Sequence, residues 1–254
     1  MFSIKNLKVQ TRMDVKQKCM KKLINSRGGG VAWLFSIITG ILFLSSCTAN
    51  KMLTSNTNPG EVSDMLKFET LSYVLLIEKG NKGVRNDSVS NLVKACLNEA
   101  LGSLGTKIPL SPVELILTDS IDKHRFAQEV EYLCLTSEKN KSVENLSIPP
   151  TIDSLLTASG KRFGLVTVVT GFTREKGNYG KQVAKGLGIG ILTMGMYYQT
   201  PIKSNSTVYA IIIDNKEKNV AFYRKSVLAE KEPTEKSVLI KQINSLFETY
   251  FWEK

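Results

Sequence analysis

Histidine is nearly absent from this chain: His124 is the only one among 254 residues. That excludes an H-E-x-x-H metal helix and leaves a single imidazole for acid–base work. Cysteine is also scarce, four in all, and their spacing carries no zinc signature. No G-x-S-x-G elbow occurs, and neither does the G-x-x-x-x-G-K-[ST] phosphate loop. His124 and Cys134 are ten residues apart, which on a helix leaves them roughly 80° apart and argues against a dyad between them. Carboxylates are plentiful, but Glu129, Glu131, Asp153 and Asp214 form no pair with distinctive spacing. Asp214, before a turn, reads most simply as a turn former. No catalytic residue, metal or cofactor is therefore expected.

The formal charge of +11 would normally raise nucleic acid as a partner. Its distribution removes that inference. Residues 1–46 hold eight basic residues against one acid, a net of +7, so only +4 remains for 47–254. There the signs are interspersed, as on a solvated surface.

The basic leader is followed by Val31–Leu44, fourteen residues without a charge. That is shorter than the ~20 residues a membrane-spanning helix needs, and it reads as a secretion signal. The leader is long if Met1 is the start, and Met20, opening "MKKLINSRGGG", is an alternative initiator. The run ends Leu44-Ser45-Ser46-Cys47, which resembles the bacterial lipobox of an aliphatic and two small residues before a cysteine. The resemblance implies a signal peptide over 1–46, cleavage before Cys47, and thioether lipidation of Cys47 with acylation of the new N-terminus. Several acyl chains hold a protein stably at a bilayer, because each buried methylene contributes about 0.8 kcal/mol. Thr48, in place of an aspartate, points to the outer membrane facing the periplasm. Of the remaining cysteines, Cys96 lies on an apolar helical stripe and reads as a free thiol. A Cys96–Cys134 disulfide is the alternative in an oxidising compartment.

Residues 47–68 are polar, contain Asn58-Pro59-Gly60 and lack periodicity, so they read as a flexible tether before one domain over 69–254. Strands are expected at Leu71–Glu78, Val113–Thr118, Phe163–Gly171, Ser206–Asp214 and Asn219–Val227, the last two as a hairpin. Helices are expected from Asp87 or Ser88, from Ile121 to about Thr136, from an N-cap at Thr151, and after Pro233 through Tyr250. This order predicts a single α/β or α+β sandwich, a mostly five-stranded sheet with helices, closed by a β-hairpin and a C-terminal helix. The order resembles the small α/β domains of Gram-negative envelope lipoproteins, the group that includes curli-secretion lipoproteins and activators of penicillin-binding proteins. The resemblance implies an accessory role.

Gly177–Pro201, "GNYGKQVAKGLGIGILTMGMYYQTP", is the least ordinary stretch. Gly186, Gly188 and Gly190 do not complete G-x-G-x-x-G, because position 191 is Ile. Gly180, Ala184 and Gly188 recur every four residues, a small face suited to close helix packing. Its target is the protein's own sheet, a second protomer or a bilayer face. A β reading stays open, since glycine and apolar residues alternate over 186–191. Arg174, Lys176, Lys181 and Lys185 surround the entry to this element and form a candidate anion or partner site.

The expectation is thus a non-enzymatic envelope lipoprotein, an assembly or regulatory module that binds another envelope protein or its own copies. A periplasmic hydrolase or cell-wall-binding enzyme is one alternative. A membrane-interacting oligomer through segment 180–198 is the other.

Overall fold

The computed structural model describes residues 51–192 and 201–252, with the side chains of 186–192 outside that description. Lipobox residues 44–47, the signal segment before them and positions 193–198 of the glycine-rich segment lie outside the described residues.

In chain order the strands and helices are β1 (Leu53–Thr54), β2 (Met65–Phe68), β3 (Leu71–Ile77), β4 (Gly83–Arg85), α1 (Asp87–Ser103), β5 (Leu110–Leu115), α2 (Ser120–Asn140), α3 (Pro150–Ala158), β6 (Phe163–Arg174), α4 (Asn178–Leu192), β7 (Asn205–Asp214), β8 (Asn219–Ala229) and α5 (Lys236–Phe247). The fold is α/β, ending in the expected hairpin and helix. The sheet has eight strands rather than five.

Its axis is β6, whose run of Val and Thr suits a pleated, doubly covered surface. One edge of β6 is taken along its length by antiparallel β7, from Phe163↔Asp214 to Phe172↔Asn205. The other edge is shared by two parallel strands in succession, β2 against Gly164–Leu165 and β3 against Val168–Arg174. Beyond them lie β5, parallel to β2, and β4, antiparallel to β3. Strand β8 extends the sheet past β7, and β1 closes that side with two pairs, Leu53↔Tyr223 and Thr54↔Phe222. At Gly171 a Cβ would come within 2.1 Å of the Asn205 carbonyl oxygen, so a side chain there would drive β6 and β7 apart.

Alternate residues feed two cores. Leu165, Val169, Val208, Ala210 and Ile212 meet α1 and α5 on one face. Val166, Val168, Ile211 and Ile213 meet α2 and α3 on the other, with Phe68 and Phe126 stacked at 5.3 Å. Helix α1 starts behind Asn86, whose side chain accepts from the Val89 amide at 2.9 Å.

Three expectations are corrected. The tether is not one: from residue 51 onward the chain belongs to the same compact unit, with β1 and β2 inside the expected 47–68 linker. Met65, Leu66 and Phe68 are buried there, and burial outweighs the polar composition around them. Strand β5 pairs over 110–115 rather than 113–118, because Leu110 aligns with Met65 and carries Pro112 on a sheet edge that tolerates it. Thr151 is not the cap of α3. The Glu129 carboxylate reaches over from α2 and accepts from the Thr151 and Ile152 amides, both at 2.9 Å.

The N-terminal segment is fastened at Asp214, at the end of β7. This fully buried carboxylate accepts from Arg162 Nε at 3.1 Å and Nη2 at 2.9 Å. It also takes the Lys216 and Glu217 amides and the Thr57 hydroxyl, while Glu61 pairs with Arg162. Burial alone would raise its pKa. The Arg162 hydrogen bonds and the two amides more than offset burial and hold it below the ordinary 3.8. A depressed carboxylate stabilises the fold above its unfolded value and loses that contribution as pH falls through its folded one. Asp214→Ala should therefore cost about 3 kcal/mol in urea unfolding at pH 7. The deficit should shrink steadily below pH 3.8.

Candidate functional site

Helix α2 covers only the β2 half of its side of the sheet. Among the described residues the β3 half stays open, and between the two lies a groove of about 810 Å³. Its floor comes from Leu71 and Tyr73 of β3, Val168 and Thr170 of β6, and Tyr209 of β7. Its wall is the flank of α2, from His124 through Glu131 and Cys134 to Leu135. Sequence periodicity explains the wall. Phe126, Val130 and Leu133 face the core, so Leu135 falls off that stripe and is 62% exposed. Strand β3 is apolar on both faces. Val74 is buried under α1, whereas Tyr73 and Leu75 remain 40% and 42% exposed on the open side.

The groove is apolar and electrically quiet at its base. Burial, reinforced by Glu138 and Glu131, pushes the Cys134 thiol up to about 12. Burial also raises Tyr209 and Tyr73. Charged groups sit at the rim or are already engaged: Arg85 pairs with Asp87 at 3.0 Å, and Glu69 pairs with Lys94. His124 is exposed on the rim. A neutral thiol is a poor nucleophile, and the groove presents a largely aromatic and aliphatic surface.

The basic cluster expected near the glycine stretch is not gathered here. Arg174 donates from Nε to the Ile202 carbonyl at 2.9 Å and from Nη1 to Asn81 Oδ1 at 2.7 Å. Its guanidinium ties the β3–β4 turn to the chain entering β7, which takes it out of an open anion site. Lys176, Lys181 and Lys185 are exposed and do not line the groove. Asn178 was not singled out by sequence, yet it is buried and donates to the Ile77 and Glu78 carbonyls at 3.1 and 2.9 Å, docking the start of α4 on β3. The glycine stretch is helical over 178–192, as the four-residue spacing predicts and against the β alternative. Its small face does not pack on its own sheet where it is described. Gly180 and Ala184 are exposed, and nothing lies within 4 Å of a Cβ built on Gly180. Gly188 and Cys47 lie outside the described side chains.

Cys96 and Cys134 are both free. Among the described residues no cluster of three or more His, Cys, Asp or Glu side chains is placed to hold a metal, and no helix is long and apolar enough to cross a membrane.

No protein-family model and no curated protein matches the sequence. Among solved structures the chain is similar to the PelC dodecamer from Paraburkholderia phytofirmans, at 8% identity and a TM-score of 0.36, over 82% of this chain and all of that one. A variant of the same dodecamer aligns at 9% identity and 0.34, over 81% of this chain and 99% of that one. At these values neither activity nor assembly passes from those proteins to this chain.

The raised Cys134 pKa has a direct readout. At pH 8 iodoacetamide should alkylate Cys134 in the folded protein at least a hundredfold more slowly than in urea, as followed by mass spectrometry of the peptide.

Proposed function

We propose that this chain is a lipid-anchored envelope lipoprotein, acylated at Cys47, whose α/β domain is a non-enzymatic module that binds an apolar segment of a partner protein. The observation that carries the binding reading is the open sheet face: Tyr73 on the sheet and Leu135 on the helix both stand exposed and line an 810 Å³ groove. Apolar surface collected in one concavity marks an interaction site more strongly than scattered exposed residues do. The anchoring reading rests on Leu44-Ser45-Ser46-Cys47 after a fourteen-residue uncharged run, and Thr48 favours the periplasmic face of the outer membrane.

A hydrolase would need a polar pocket joining His124 or Asp214 to the Arg174–Lys185 loop. His124 lies at the groove, Asp214 is buried in its clamp with Arg162, and neither that clamp nor the loop lines the groove. Self-association through α4 is the second reading. It is favoured by Gly180 and Ala184, which present a small, uncovered helical face.

Growth with a clickable fatty acid should label the wild-type protein and leave Cys47→Ala unlabelled; label retained by the variant removes the anchoring claim. For the groove, a photo-crosslinking residue at Leu135 should capture a discrete envelope partner in cells. Capture should fall at least fivefold when Tyr73→Asp is added. Equal capture from a crosslinker at Lys231 would reject the groove, and homodimer capture from Ala184 alone would favour self-association.

A further inference from the structure

A second pocket, of about 260 Å³, sits where the last turn of α2 meets β1 and β8. It is lined by Lys51, Ser137, Glu138, Lys141, Tyr223 and Lys225, with Leu53 beneath. Its charge balance favours an anion. Glu138 Oε1 already receives Lys225 Nζ at 2.7 Å and the Tyr223 hydroxyl at 2.8 Å, so the one carboxylate is compensated. Lys51 and Lys141 are exposed and have no ion-pair partner among the described residues. Lys141 ends α2 in the left-handed conformation, with φ 51°.

The second observation is Ser137. It is fully buried, it lines this pocket, and its hydroxyl has no hydrogen-bond partner. Buried hydroxyls are ordinarily satisfied, and an unused donor in a pocket that Lys51, Lys141 and Lys225 also line is the complement of an oxyanion.

Chain length supplies the source of that anion. Lys51 is four residues from Cys47. At most about 14 Å separates them even when the chain is fully extended. We propose that this pocket binds the phosphodiester of an anionic phospholipid headgroup and so seats the domain directly on the bilayer beside its anchor. The choice of lipid over free phosphate rests on the acylation of Cys47; the anion chemistry does not.

The test titrates the full chain in detergent with dioctanoyl phosphatidylglycerol and, separately, with inorganic phosphate, read by calorimetry. Saturable lipid binding is expected, at least tenfold tighter than phosphate. It should weaken tenfold or more in Lys51→Glu/Lys141→Glu and threefold or more in Ser137→Ala. Lys176→Glu/Lys185→Glu, away from the pocket, should stay within twofold, and near-ultraviolet dichroism checks that each variant is folded. Phosphate bound as tightly as the lipid overturns the headgroup assignment. Absent lipid binding, or binding indifferent to Lys51 and Lys141, overturns the pocket. Fatty-acid labelling is scored on the same preparations. An unlabelled chain that still titrates rejects the anchor and keeps the anion site, whereas a labelled chain that does not titrate rejects this pocket alone.

Discussion

One edge of β6 is shared by two short strands instead of one long one, and the rest of the molecule follows from that division. The chain steps from β2 to β3 across Glu69 and Thr70. The step is held by Thr70, whose hydroxyl meets Thr167 at 2.8 Å and Asn98 at 2.9 Å. Strand β2 is flanked by β5 and roofed by α2, while β3 is flanked by β4 and, among the described residues, has no helix on that side. The covered half supplies a core. The open half supplies a groove. A single uninterrupted strand along β6 would have given one uniform face to cover, without the boundary along which the groove runs.

The charged residues show why a carboxylate census misleads. Glu129 is a helix cap for α3, Asp214 locks the β7–β8 turn to the N-terminal segment, and Asp153 pairs with Lys218 at 2.6 Å. Arg174 is a strut between two loops rather than a free cation. Each satisfies backbone groups or a neighbouring charge that would otherwise be stranded, and burying such a group alone is costly. What remains unengaged is therefore more informative than what is charged.

Elements with many residues of consistent period were legible in the sequence: β3, β6, the β7–β8 hairpin, α1 and α5 all fall within a few residues of where the pattern places them. The missed strands β1, β2 and β4 have two to four residues, too few for a period, and two of them are defined by distant partners such as Tyr223 and Leu110. The β5 boundary slipped because the apolar run goes on after pairing stops, leaving Ile116 63% exposed. The groove was not legible at all. Leu135, Tyr73 and Tyr209 look like core residues one by one, and only the position of α2 across the sheet separates those that are covered from those that are not. The four-residue spacing of Gly180 and Ala184 correctly announced a helix, but spacing cannot say whether a small face is occupied.

The pairing of β1 with β8 has a mechanical side. A domain on a long leash explores a volume set by the leash, and its orientation to the surface is random. Here the described chain enters the sheet at Leu53, so the anchor proposed at Cys47 would leave almost no slack. The working distance from the surface is then the thickness of the domain itself, about 40 Å for roughly 200 residues. A protein anchored as proposed would meet its partners in a thin layer. It would trade reach for a high local concentration near the surface.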